Sequence, residues 1–236
     1  MWKHQSKRIY HLGPKRAPQV SSQPLGRPLL SMLPTLHILL FAIGLTLGQS
    51  SEQSISVQEG DVVFQTSRSS QSQAIQLATK SRYSHMGIIL YKEEKPFVFE
   101  AIQPVKFTPW EAWIKRGQNG HCVVKRLKNG KSLLTDATIK KIHTLARSFE
   151  GKDYDLAFSW NDSRMYCSEL VWKLYDRAVG IQVGKLQKLK EFDLSSPIVQ
   201  KKMKQRYGSK IPLSETVVSP QAMFDSDLLV LVKEIS

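Results

Sequence analysis

The chain reads as an α+β protein in which an antiparallel sheet, expected to be curved, carries one amphipathic helix across it. Three observations predict this. The β-rich runs 84–91 and 97–101 flank the polar stretch Lys92-Glu93-Glu94-Lys95-Pro96, which is the pattern of a hairpin. Residues 136–149, and again the residues following Cys167, place apolar side chains at three- and four-residue intervals, the spacing that buries one face of a helix. Further strand-like stretches at 60–65, 122–127 and 228–232 supply the rest of a sheet.

The N-terminus stands apart from this pattern. Residues 1–28 hold six basic side chains and no acid, and an apolar stretch at 29–47 follows, densest over Ile38-Leu39-Leu40-Phe41-Ala42-Ile43-Gly44-Leu45. A charged segment, an apolar core and small residues near Gly48-Gln49-Ser50 resemble a secretory signal. An uncleaved anchor is the alternative, since the stretch approaches the ~20 residues that span a bilayer. Met32 is a possible second start. The expected organisation is therefore a leader over 1–50 and one folded domain over 51–236, exported to the periplasm or cell envelope.

Within that domain the elements follow in order. A first strand at 60–65 leads to a short helix at 72–79 and then to the hairpin. Trp110, Trp113 and Ile114 suggest a second short helix, 122–127 returns to strand, and Asn129-Gly130 marks a turn. The helix over 136–149 is capped by Thr135 or Asp136 and turns Ile139, Ile142, Leu145, Ala146 and Phe149 inward. A loop through Asn161-Asp162-Ser163 precedes the helix of Cys167, whose Leu170, Val171, Leu174, Tyr175 and Ala178 form its buried face and which Gly180 ends.

Charge bounds the partners. The formal net charge is +14, and without the first 28 residues it is +8. Lys185, Lys188, Lys190, Lys201, Lys202, Lys204, Arg206 and Lys210 gather against only Glu191 and Asp193, and read as a solvated, partly flexible face, with attraction of anionic envelope surfaces, acidic polymers or nucleic acid as the alternative. No nucleic-acid motif accompanies them, so nucleic acid is not an expected partner. No cluster with metal-ligand spacing and no cofactor motif is read.

The chemistry concentrates in Tyr166-Cys167-Ser168-Glu169-Leu170-Val171-Trp172. A thiol in the first turn of a helix meets amide groups that lack intrahelical acceptors, and these favour thiolate, the nucleophilic form. Such a nucleophile calls for a base. Of the histidines in the folded region, His85 stands at a strand end, where chemistry is commonly placed, whereas His121 sits in a strand and His143 on a helix flank. The returning strand brings back Glu100. If Ile88 faces Phe99, His85 and Glu100 fall diagonally on the same face, so that Glu100 can orient the ring and favour imidazolium. Gly87 between them is expected to leave room for the helix end or a substrate backbone. Cys122 reads as a packed thiol, with a Cys122–Cys167 disulfide as the rival arrangement in an oxidising compartment. Each residue alone has a bland reading, as a core thiol, a strand-end imidazole or a solvated carboxylate. Their combination is what points to nucleophilic catalysis.

The motifs Gly60-Asp61-Val62-Val63-Phe64-Gln65, Tyr83-Ser84-His85-Met86-Gly87-Ile88, Phe99-Glu100-Ala101 and Tyr166-Cys167-Ser168-Glu169-Leu170-Val171, in that order, resemble those of the permuted papain-like amidases, the YiiX-like branch of the NlpC-type superfamily. The resemblance runs from Gly60 to the C-terminus. It implies a circularly permuted papain-like fold, with Cys167 as nucleophile, His85 as general base and later acid, and Glu100 as the third member. Many NlpC-type enzymes carry aspartate and glycine where this chain has Tyr166 and Glu169, a difference that bears on cell-wall specificity more than on the nucleophile. The implied activity is cleavage of an amide bond in a peptide, isopeptide or amidated lipid of the envelope through an acyl-enzyme. A lipid acyltransferase or thioesterase on the same fold and a non-catalytic binding module are the competing readings. The Cys167 amide would supply one oxyanion donor, with Tyr154 and Gln65 candidates for a second, and specificity is expected in the loops 66–82, 103–120 and 185–215.

Overall fold

In the computed structural model, residues 57–236 are described, and the leader expected over 1–50 lies outside them. The chain enters through β1 (Val62–Gln65) and α1 (Ser72–Thr79), then forms the hairpin β2 (His85–Lys92) and β3 (Lys95–Glu100). Next come β4 (Lys106–Pro109), α2 (Trp110–Arg116), β5 (Cys122–Leu127) and the single turn α3 (Gly130–Leu133). The long helix α4 (Asp136–Phe149) is followed by β6 (Asp153–Tyr154), β7 (Arg164–Met165) and α5 (Cys167–Val179). The last third holds β8 (Gln187–Lys188), α6 (Pro197–Tyr207), β9 (Thr216–Val217), α7 (Pro220–Phe224) and β10 (Leu229–Ile235).

Six strands form one antiparallel sheet in the order β10-β5-β1-β2-β3-β4. In the hairpin Ile88 pairs with Phe99, and the ladder continues to Lys92 and Lys95. The turn is thus tighter than the polar run suggests, two residues rather than five, with Glu93 and Glu94 both at positive φ (49° and 62°). Pro96 belongs to the strand, opposite Tyr91.

Alternation divides the apolar residues between the two faces of the sheet. Val62, Phe64, Met86, Ile88, Leu90 and Phe99 share a cluster with Leu170, Val171, Leu174 and Tyr175 of α5 and with Ile142, Ala146 and Phe149 of α4. The opposite face packs Val63, Ile89, Val98 and Val124 on Trp110 and Trp113 of α2. All five α5 positions expected inward are buried, and Gly180 closes the helix at φ 79°. Thr135 caps α4, its hydroxyl accepting from the Thr138 amide.

Two segments depart from their sequence readings. The lysine-rich stretch, expected as a partly flexible solvated face, is the helix α6, which seats Val199 and Met203 against Ala74 of α1 and Leu189. Proline at its N-terminus and buried residues four apart allow this despite its charge. The region after Glu100, expected as loop and helix, contributes the edge strand β4 before α2 begins.

Candidate active site

Cys167 is the first residue of α5 and is only 3% exposed. Its place is fixed from both sides by one distant residue. The hydroxyl of Ser168 donates to the Val218 carbonyl (2.7 Å), and the Val218 amide donates to the Tyr166 hydroxyl (3.1 Å). The Glu169 carboxylate accepts from the Tyr166 amide at the same helix start. Deeper in the turn, Lys173 is buried and its ammonium donates to Glu169 Oε1 (2.7 Å), Asp162 Oδ1 (2.8 Å) and the Asn161 carbonyl (3.0 Å). Burial nevertheless raises the Glu169 carboxyl to about 7, the Lys173 charge only partly opposing it.

His85 opens β2 and projects to the face that carries Trp113, whereas α5 packs on the other, so imidazole and thiol meet at the end of the sheet. His85 Nε2 lies 2.6 Å from Glu100 Oε2, which leaves Nδ1 for the Cys167 thiol. Burial alone would depress the imidazole, but hydrogen bonds to Cys167 and Glu100 and the charges of both outweigh it, and the pKa is pushed up to about 9.

Glu100 is fully buried, and four protein donors fill it. Thr108 Oγ1 donates to Oε1 (2.5 Å), while Trp113 Nε1 (3.0 Å), the Arg116 guanidinium and His85 converge on Oε2. Burial would raise this carboxyl, yet His85 and Arg116 hold it at about 2. The structure therefore brings together all three residues singled out in the sequence, and adds Thr108, Trp113 and Arg116, which sequence reasoning missed. The one available signal was Trp113 and Arg116 at helical spacing in a segment read as a helix.

Gly87 does not make room for the helix end or a substrate. A Cβ there would lie 2.3 Å from Val98 Cγ1 and 3.3 Å from Glu100 Cβ, so the glycine admits the side chains of β3 that seat the carboxylate. The disulfide alternative also fails. Both thiols are free and belong to clusters on opposite faces of the sheet, and burial pushes Cys122 up to about 12. His143 pairs with Glu59 and His121 with Glu234, both away from the thiol.

Of the two oxyanion candidates, Tyr154 lines the same cleft as Cys167, and its hydroxyl accepts from Gln71 Nε2 (2.9 Å), leaving its own proton available. Gln65 lies opposite His85 in the ladder but outside that cleft, with Oε1 buried and without a partner among the described residues. A nucleophile at a helix start, an imidazole beside it and a buried carboxylate behind, in the chain order imidazole, carboxylate, thiol, define a papain-like site with permuted connectivity.

The comparison with known proteins agrees. A family model described as "Permuted papain-like amidase enzyme, YaeF/YiiX, C92 family" matches residues 56–233, and the chain belongs to that family. It is 55% identical over 175 residues to the uncharacterized protein YiiX of Escherichia coli K12, which spans 74% of this chain and 85% of that protein. The crystal structure of YiiX from Escherichia coli O157:H7 matches with a TM-score of 0.72 at 54% identity, covering 75% of this chain and 97% of that one. That relative is described as a metalloprotein. The described residues here do not fit a metal: no three His, Cys, Asp or Glu side chains converge as ligands, and the Glu100 carboxylate is already filled by protein donors.

Proposed function

We propose that this chain is an exported cysteine amidase of the cell envelope that cleaves an amide bond through an acyl-enzyme on Cys167. The observation that carries the reading is the position of His85, between the thiol and a carboxylate saturated by four donors. The site can store the proton of Cys167 as imidazolium while Glu100 stays ionised. The thiolate attacks the carbonyl carbon, His85 delivers its proton to the leaving amine as the C–N bond breaks, and water activated by His85 then releases the acid. The Cys167 amide, at a helix position without an intrahelical acceptor, and the Tyr154 hydroxyl serve as oxyanion donors.

Export rests on the leader-like N-terminus, and the envelope as location follows from it. The apolar cleft beside Cys167 also suits a lipid acyltransferase or thioesterase, which would form the same acyl-enzyme, the first differing in the acceptor and the second in the leaving group, a thiol in place of an amine. The test is labelling by iodoacetamide near neutral pH. Wild type is expected to be alkylated at Cys167 and Cys167→Ala to resist; equal labelling of the two overturns the assignment. Envelope extracts incubated with wild type and with Cys167→Ala then separate release of an amine from transfer to a new acceptor.

A further inference from the structure

Three residues from distant parts of the chain form a hydrogen-bonded line that ends beside Cys167: Arg206 of α6, Gln71 immediately before α1, and Tyr154 of β6. The Arg206 guanidinium donates to Gln71 Oε1 (3.0 Å), and Gln71 Nε2 donates to the Tyr154 hydroxyl (2.9 Å). The first bond forces the direction of the second. A guanidinium has donors and no acceptor, so the carboxamide must turn its oxygen to Arg206 and its NH₂ to Tyr154. The hydroxyl oxygen then accepts, and its proton points elsewhere. Among the described residues no acceptor takes that proton.

The line is held along its length. Arg206 lies over the Phe158 ring (4.3 Å). Gln71 stands at the N-cap position of α1 yet makes no capping bond, because both ends of its carboxamide are engaged by Arg206 and Tyr154. Tyr154 pairs with Met165 in the β6–β7 ladder, and its amide donates to Gln103 Oε1 (2.8 Å), while the Asp155 amide donates to the Met165 carbonyl (2.9 Å). The tyrosine is thereby registered against the segment that leads directly into the nucleophile.

We propose, building on the amidase reading, that Gln71 and Arg206 are positioning residues that set the polarity of the Tyr154 hydroxyl and hold its proton ready for the oxyanion formed at Cys167. As the thiolate forms its C–S bond, the carbonyl electron pair moves to oxygen, and the Tyr154 O–H meets that charge without first breaking a bond or turning. With the line reversed, the same tyrosine would donate to Gln71 and give the oxyanion nothing.

The purified chain is to be treated with p-nitrophenyl acetate, which acylates the thiolate through an oxyanion as p-nitrophenolate leaves, and with iodoacetamide, which alkylates it by displacing iodide and forms no oxyanion. The rate of acylation of Cys167 divided by its rate of alkylation, each corrected with Cys167→Ala, separates oxyanion support from thiol reactivity and folding. Tyr154→Phe should lower this ratio about a hundredfold. Gln71→Glu should approach the same loss, since a carboxylate paired with Arg206 only accepts and draws the tyrosine proton to itself. Arg206→Glu should reverse the line from its other end, taking the Gln71 NH₂ and turning the carboxamide oxygen to Tyr154. Gln71→Met and Arg206→Met leave the hydroxyl free to turn and should stay within about tenfold of wild type. A merely structural Gln71 predicts the opposite order, because glutamate keeps the shape and gains an ion pair where methionine loses both bonds. Either glutamate variant no worse than its methionine counterpart, or Tyr154→Phe at the wild-type ratio, overturns the proposal and leaves the amidase reading intact. A Cys167 that is alkylated but never acylated lacks a working oxyanion donor and overturns it as well. Failure of both reagents to modify Cys167 in preference to the Cys167→Ala control instead overturns the amidase reading itself.

Discussion

Glu100→Gln is the most informative single change. The amide has the shape of the carboxylate and can keep its oxygen toward Trp113, Arg116 and His85 while its NH₂ faces Thr108, whose hydroxyl can turn to accept. What is lost is one negative charge 2.6 Å from the imidazole. In the wild type His85 is held at about 9 against an ordinary 6.5, with burial opposing and Cys167 and Glu100 prevailing. An opposite charge at this range moves a pKa by roughly 1–3 pH units, so the variant's imidazole should titrate between about 6 and 8. At ~1.4 kcal/mol for each pH unit, the imidazolium loses about 1.4–4 kcal/mol of support. The assay is NMR titration of the ¹⁵N-labelled His85 ring, with the dispersion of the backbone amides as a check that the fold is kept. A midpoint that stays at about 9 in the variant would refute the assignment of Glu100 as the group that sustains the imidazolium.

Three further outcomes follow from the same coordinates. Glu100 is held at about 2 rather than its ordinary 4.5, so its contribution to stability is complete above pH 4.5 and disappears as the pH falls through 2. Urea unfolding between pH 5 and 2 should therefore show wild type losing about 3 kcal/mol more than Glu100→Gln; parallel losses would contradict it. Lys173→Met strands the Glu169 carboxylate in the core and should cost about 3–5 kcal/mol, with Lys173→Met/Glu169→Gln recovering part of it; an additive double variant would show that the pair is not coupled. Replacing Glu93-Glu94 by Asn-Gly gives the hairpin turn residues suited to two positive φ angles and should stabilise by about 1–2 kcal/mol in urea unfolding; no gain would mean that the turn is not strained.

How much of this was legible in the sequence depended on distance along the chain. Helices α4 and α5 announce themselves through period, because burial of one face is a local pattern, and the strands β2 and β5 through runs of β-forming apolar residues, since both faces of the sheet are covered. The pairing of His85 with Glu100 followed from register arithmetic within one hairpin. Thr108 carried no such mark and Arg116 only its helical spacing from Trp113, since what makes them important is convergence on a carboxylate that neither adjoins in sequence. The lysines of α6 obscured its buried Val199 and Met203, and a segment read as solvent-facing became one wall of the cleft. Gly87 was misplaced for a related reason: the sequence announces a gap, and only packing tells which neighbour fills it.

The grip of Tyr166 and Ser168 on Val218 has a consequence for how the protein matures. The start of the thiol-bearing helix is tied to a residue some fifty positions later, so about fifty residues beyond Cys167 must be made before the sulfur is seated. Until that later segment docks, a newly made molecule lacks the two hydrogen bonds that pin the residues on either side of Cys167.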